Sequence, residues 1–351
     1  MQFHFETYRI ECTHPFGISR SSHDYYDIVY VYLEHDGLLG RGEAAPSGRY
    51  NESTDRILSQ LQTGINIPDS MEDPLVFSNQ ISSQCDNVKS LEVAFSMATL
   101  DLWCQIHQEP LYKYFNADPN NTPLTSYTIS IGEMDLIPQK VQESAPYQII
   151  KVKLGVDIDH DKSIIQEIRK ETDKTIRVDA NEGWDLETGL EMTHWLADQN
   201  IEFIEQPVPP GDINDMRIVS SNVTIPIAAD ESIVDFDSAR DIIDAKAARI
   251  LILKPMILGG LSPSFEIMKL ARDRGCSVVI TTSIDSGVGI SAALHLAATL
   301  PEITLPCGLA TGSLLVNDLL EDQLDIAYGK MSLPHDLGLG IRVNNSADYF
   351  T

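Results

Sequence analysis

Apolar and polar residues alternate at the start of the chain. Met1-Gln2-Phe3-His4-Phe5-Glu6 places an apolar side chain at every second position, the period of a half-buried strand. Tyr25–Glu34, rich in Val, Ile and Tyr, predicts another strand. His35-Asp36-Gly37 predicts a turn, and Leu38–Glu43 the returning strand of a hairpin. The pattern then changes over residues 53–115. Val93–Trp103 is apolar almost throughout and predicts a buried helix. The first third therefore reads as α+β, strands first and helices after.

From about residue 120 a different rhythm begins. Short β-type runs recur at Thr125–Ser130, Ile149–Leu154, Ile176–Asn181, Ile201–Gln206, Ile225–Glu231, Arg249–Lys254, Ser277–Ser283 and Thr304–Leu309. Helical patterns lie between them, at Asp161–Glu171, Leu186–Gln199, Ser238–Ala245, Leu261–Arg274 and Gly287–Leu300. The spacing is close to the roughly 30-residue βαβ unit, and eight such units predict a β/α barrel rather than an open sheet. Residues 316–351 are expected to run back towards the N-terminal region.

In such a barrel the C-terminal strand ends share one mouth. Here they carry charge in regular succession: Lys151-Val152-Lys153, Asp179-Ala180-Asn181, Glu205-Gln206-Pro207, Asp230-Glu231-Ser232 and Lys254-Pro255. The steps from Lys153 to Asp179, Glu205, Asp230 and Lys254 are 26, 26, 25 and 24 residues. Each group thus holds an equivalent place in its own unit. A single Asp at a strand end reads as a helix cap and a single Lys as a solvated side chain. Five in register are not explained that way. Three carboxylates facing one another repel unless a cation joins them, and an all-oxygen set suits Mg²⁺, with Mn²⁺ as a second possibility. A lysine beside such a metal points to removal of a proton next to a carboxylate, with the ene-diolate stabilised by the metal's charge.

Composition narrows the partners. The 351 residues include 52 acidic and 25 basic ones, a formal charge of −27. That charge repels nucleic-acid phosphates and anionic lipid, so neither nucleic acid nor a membrane is expected as a partner. The expected partner is a small carboxylate substrate, and a homo-oligomer is possible. Five scattered cysteines form no C-x-x-C pair, and the N-terminus lacks the basic start and apolar run of a signal peptide. Reduced thiols and a cytoplasmic location are the expectation. His194 and His295 lie in helical patterns and read as packed or surface histidines, and Trp103 and Trp195 as core.

These motifs together resemble the enolase superfamily, in its muconate-lactonizing subgroup. They are Lys151–Gly155, Val178–Asn181, Ile204–Pro207, Ala229–Ser232, Lys254-Pro255 with Gly259-Gly260, and Gly42–Pro46 in the first domain. The resemblance implies an α/β fold: a modified (β/α)₇β TIM-like barrel at 119–315 under an α+β capping domain at 1–118, with 316–351 packing back on the cap. It implies Mg²⁺ on Asp179, Glu205 and Asp230, with Lys153 as base and Lys254 facing it across the substrate. Lys151 is expected to tune Lys153, Asn181 to orient the ligand shell, and Glu231 to support it. Arg20, in an expected capping loop, is a candidate for a substrate carboxylate.

Two families within the subgroup pull apart. Phe16–Ser22, Arg49–Ser53 and Thr125–Ile129 resemble dipeptide epimerases. Those enzymes carry an Asp-x-Asp pair at the last barrel strand for the substrate ammonium, whereas Leu305–Gly312 has no carboxylate. Leu253–Gly260, Thr281–Gly287 and Gly308–Gly312 resemble o-succinylbenzoate synthases instead, although Asp285 stands where those often have Glu. Because these ends line the pocket, the expected activity is an o-succinylbenzoate synthase of menaquinone biosynthesis, a carbon–oxygen lyase. It would dehydrate 2-succinyl-6-hydroxy-2,4-cyclohexadiene-1-carboxylate. The alternative is a dipeptide (L-Ala-D/L-Glu type) or amino-acid epimerase using the same two lysines. Ser283, Ser286, Gly308 and Thr311 are the expected substrate-binding residues of a neutral, hydrogen-bonding wall.

Overall fold

The computed structural model describes residues 1–301 and 305–343. β1 (Gln2–Ile18), β2 (Ser21–His35) and β3 (Leu38–Ala44) form an antiparallel meander in the order β1-β2-β3. β1 extends well beyond the alternating start of the chain. Its ladder with β2 is interrupted between Glu11 and Phe16, around Pro15. Proline has no N–H to give, and an edge strand tolerates that gap. β2 is buried on both faces, which explains its nearly continuous apolar run. Val29, Val31 and Leu33 join a cluster with Ile57, Phe77, Leu91 and Phe95. Ile28, Tyr30 and Tyr32 face the other way, into the core shared with the barrel.

The first cluster is roofed by α1 (Thr54–Thr63), α2 (Pro74–Ser82) and α3 (Lys89–Ile106), followed by the single turn α4 (Leu111–Tyr114). β3 lies directly on α3. A Cβ at Gly42 would stand 1.8 Å from the Ala94 carbonyl oxygen, so only glycine permits that approach.

The second sheet comprises β4 (Tyr127–Ile129), β5 (Ile149–Lys153), β6 (Thr175–Asp179), β7 (Ile201–Glu205), β8 (Ile227–Ala229), β9 (Ile250–Leu253) and β10 (Ser277–Ile280). All seven are parallel and follow chain order across the sheet. The connecting helices are α5 (Ile137–Glu143), α6 (Ile158–Glu171), α7 (Leu186–Ala197), α8 (Ile213–Asn222), α9 (Phe236–Asp244), the short α10 (Pro255–Leu258) with α11 (Leu261–Asp273), and α12 (Gly287–Ala297). α5 and α8 are absent from the helical patterns read in the sequence. Both carry polar residues through much of their length, which weakens the apolar stripe.

Of the expected eighth run, Thr304 lies outside the described residues. Cys307 and Gly308 make isolated parallel bridges to Thr125 and Thr281. The Cys307 N–H donates to Leu124 O at 2.6 Å and the Gly308 N–H to Ile280 O at 2.9 Å. This strip joins β10 to β4 and closes the ring. Beyond it the chain returns to the first sheet, where the Val316 N–H donates to Glu11 O at 2.8 Å. Farther on, the Leu339 N–H donates to the Asp101 carboxylate at 2.8 Å. Residues 344–351 of the expected returning segment lie outside the described residues. All five cysteines are free, and no helix among the described residues is long and apolar enough to cross a membrane.

Candidate active site at the barrel mouth

Parallel register brings the charged strand ends together. Lys153 pairs with Asp179 across β5–β6, and Asp179 with Glu205 across β6–β7. Because side chains alternate, Lys151 and Lys153 share one face of β5. Asp230 follows the end of β8, and Lys254 follows β9. One ligand atom each from Asp179, Glu205 and Asp230 can be chosen so that all lie within 4.8 Å of one another, and all three residues are buried.

Two lysines stand on either side of this triad. Lys153 Nζ lies 2.6 Å from Asp179 Oδ2, and Lys254 Nζ pairs with Asp230 Oδ2. Lys151 bridges two members of the triad, at 2.9 Å from Asp179 Oδ2 and 2.6 Å from Glu205 Oε2. Burial lowers the Lys153 pKa, helped by Lys151 and Lys254 and opposed by Asp179. Burial also opposes the charge on Lys254, yet Asp230, Glu231 and Glu205 hold its pKa well above the ordinary value. Lys151 is raised in the same way by Asp179 and Glu205. Glu205 is driven up by burial and then by the neighbouring Asp179 charge.

The loops after the strands hold this arrangement. Asn181, Glu182 and Gln206 adopt left-handed φ values of 44°, 67° and 37°. Such conformations cluster where surrounding contacts fix them. The Asn181 N–H donates to Asp179 Oδ1 at 2.9 Å. Gln206 Oε1 accepts the Asp230 N–H at 3.0 Å and the Ser232 N–H at 3.1 Å, which sets the path of the third carboxylate. Asn181 Nδ2 and Arg20 Nη2 each donate to Glu231 Oε1 at 3.0 Å. Asn181 Oδ1 and Glu231 Oε2 are buried acceptors without a protein donor. Three hard carboxylates with buried acceptors beside them suit Mg²⁺, or Mn²⁺, together with the water such ions retain.

The mouth is roofed by the first sheet and its loops. Arg20 also donates to Asn181 O at 3.0 Å, and Arg49 forms an ion pair with Glu182 at 2.6 Å. The cavity at the mouth is about 600 Å³, and its lining includes Arg20, Lys151, Lys153, Asn181, Glu231, Lys254, Ser283, Gly308 and Thr311. Ser286 lies elsewhere. It caps the N-terminus of α12, and its hydroxyl donates to the buried carboxylate of Glu43 on β3. His194 and His295 make backbone contacts away from the mouth, with Leu190 O at 2.7 Å and Leu339 O at 3.1 Å.

Sequence reasoning passed over Arg49, Glu182 and Gln206 as site residues. Gln206 was visible beside Glu205 in its motif. Arg49 opens a segment that resembles dipeptide epimerases, but its contact with Glu182 joins segments more than a hundred residues apart and has no local signal.

Residues 137–347 match the Enolase C-terminal domain-like family. The L-Ala-D/L-amino acid epimerase of Maribacter sp. is 32% identical over 305 residues, covering 86% of this chain and 88% of its own length. The L-Ala-D/L-Glu epimerase of Bacteroides thetaiotaomicron is 30% identical, over 97% of this chain and 88% of its own. The crystal structure of the dipeptide epimerase from Cytophaga hutchinsonii, complexed with Mg and the dipeptide D-Ala-L-Val, has a TM-score of 0.91 at 26% identity. That match covers 98% of this chain and 96% of that one.

These relatives overturn the expectation of an o-succinylbenzoate synthase, and with it the carbon–oxygen lyase and the place in menaquinone biosynthesis. The physical reason is that the triad and both lysines serve either reaction. The wall segments weighed in favour of dehydration supply hydroxyls and backbone, which name no reaction. By the residues matched and the relatives it aligns with almost end to end, the chain belongs to the Enolase C-terminal domain-like family, in the muconate-lactonizing branch of the enolase superfamily.

Proposed function

We propose that this protein is a Mg²⁺-dependent epimerase that inverts the α-carbon of an amino-acid derivative bearing a free carboxylate, such as a dipeptide. The observation that carries this reading is the placement of Lys153 and Lys254 at opposite flanks of one carboxylate triad. Strand order puts β5 and β9 on either side of β6–β8. A planar carbon held between the two amines can lose a proton to one face and gain one on the other. Lys153, as a free amine, takes the α-proton. Lys254, as an ammonium, returns one to the opposite face, and the roles exchange for the other epimer.

A Mg²⁺ ion held by Asp179, Glu205 and Asp230 would supply positive charge to the substrate carboxylate as negative charge develops on it. Lys151 bridges two of those carboxylates and holds them in place. Asn181 and Glu231 offer buried acceptors beside them, and Arg20 closes the loop over them.

The test is proton exchange in D₂O, read separately for each epimer. Lys153→Ala and Lys254→Ala should each abolish inversion while leaving exchange from the epimer whose proton faces the remaining lysine. A Lys254→Ala protein that still inverts its substrate would refute the two-base reading.

A further inference from the structure

Away from the triad, a buried carboxyl joins the first domain to the barrel. Glu43, near the end of β3, is fully buried. Its Oε1 accepts the Ser286 N–H at 2.9 Å. Its Oε2 accepts the Gly289 N–H at 2.9 Å and the Ser286 hydroxyl. These donors belong to the N-cap and first turn of α12, whose N–H groups have no partner within the helix. The other two N–H groups there are taken by other side chains. Gly287 donates to Asp318 Oδ2 at 2.8 Å and Val288 to Ser286 Oγ at 3.2 Å. Glu43 takes the two that remain, from a strand 243 residues earlier than Ser286.

Both ends of this tie lead to the cavity. Two residues after Glu43 the chain enters the roof, where residues 45–50 all line the cavity. Two residues before Ser286 the chain leaves the wall, where residues 281–284 all line it. That wall carries Thr282, whose Oγ1 lies 2.8 Å from Thr311 Oγ1. The roof has other ties to the barrel. The Ala45 N–H donates to Met256 Sγ at 3.5 Å, and a thioether is a weak acceptor. Arg49 pairs with Glu182 on the triad side. Glu43 is the tie on the side of the wall.

We propose that Glu43 is a positioning residue for the substrate: it touches neither substrate nor metal, and it holds the roof segment against the wall segment so that a bound molecule is gripped between them. An amide at this position would offer one acceptor oxygen and turn its own N–H donors towards those of α12, so the role needs a carboxyl. Loss of the tie leaves the triad and both lysines in place, since they stand at the ends of β5–β9, and loosens the opposite side of the cavity. Substrate then binds more weakly, while a bound molecule still meets both lysines. This inference rests on the epimerase reading, which places the substrate in that cavity.

The test uses the full-length protein, Glu43→Gln and, as a milder change, Ser286→Ala, which removes the hydroxyl donor. Amide hydrogen exchange read by mass spectrometry reports the tie without any substrate. Residues 45–50 and 281–286 should both exchange at least tenfold faster in Glu43→Gln, with β6–β8 at the wild-type rate. Turnover is read as α-deuterium incorporation into the dipeptide L-Ala-L-Glu in D₂O with Mg²⁺. KM should rise at least tenfold in Glu43→Gln and threefold in Ser286→Ala, with kcat within threefold and Mg²⁺ affinity unchanged. If Glu43→Gln does not fold, Ser286→Ala decides by the same readings. An unchanged KM in a folded variant overturns the inference, whatever its melting temperature, and so does a matching loss of Mg²⁺ affinity. Faster exchange in both segments, with a wild type inert towards the dipeptide, speaks against the epimerase reading and leaves the tie standing.

Discussion

The triad side of the barrel mouth and the wall facing it are built from the same kind of strand end, yet their chemistry differs. At the ends of β5 to β9 the chain places Lys153, Asp179, Glu205 and Asp230, all buried, and the half-buried Lys254; with Lys151 they form a set of ion pairs. After β10 and along the closing strip it places Thr281, Thr282, Ser283 and Gly308. One side is charged, which suits the proposed reaction at a carbon next to a carboxylate, where fixed charge and two bases are needed. The other is neutral and must be distinguished by shape and hydrogen bonding. The lesson is that one fold repeat can divide reaction chemistry from substrate choice by position around the ring.

The largest effect should come from the charged side. Asp179→Asn removes a triad carboxylate that also partners Lys151 and Lys153. Turnover should fall on the order of a thousandfold or more, and Mg²⁺ affinity with it, measured by deuterium exchange and calorimetry. Normal metal affinity in that variant would break the comparison.

Next comes Glu231→Gln, which keeps the side chain's shape and removes the charge that pairs with Arg20. Metal affinity should weaken by about 10–100-fold, as expected when a partner of a ligand is altered. The calorimetric titration reads this without any substrate.

On the neutral wall, Thr282→Val removes one hydroxyl of the Thr282–Thr311 pair. The expected loss is about 1 kcal/mol, or roughly fivefold in kcat/KM, with unchanged metal affinity. A matching fall in metal affinity would show that the two sides are not separable.

The last effect is on stability rather than turnover and concerns pH. Behind the neutral wall, burial pushes the Asp285 carboxyl up to about 7, opposed by Lys254 and the Ser283 backbone. Glu43 beside it is also raised, by burial and by Asp285. The folded state therefore holds the Asp285 proton to higher pH than an unfolded chain, whose aspartates titrate near about 3.9. Stability from this group falls as pH rises from about 4 to 7, where the folded state binds the extra proton. Asp285→Asn should remove that slope. Thermal melts of both proteins should diverge upwards in the variant's favour across that interval, and parallel curves would rule the buried carboxyl out as the source.

Much of this protein was legible in its sequence. Strand and helix periods are local, so β2, β3, α3 and the barrel strands appear close to where alternation and apolar runs put them. The five charged strand ends were visible for the same reason. A repeat of 24–26 residues converts spacing along the chain into neighbours around a ring. What the pattern could not supply were contacts between distant segments. Ser286 reads as a pocket residue by its place after β10, but its hydroxyl serves Glu43, 243 residues away. Gly308 reads as room for a ligand and lines the cavity, while its closeness to Thr281, whose Oγ1 would stand 2.4 Å from a Cβ there, appears only in the folded arrangement. Arg49 meets Glu182 only when the first domain settles on the barrel. Periodicity fixes which face a side chain takes. Which distant carboxylate, hydroxyl or backbone group it meets there is decided by packing, because that partner is chosen by the folded arrangement and not by neighbours in the chain.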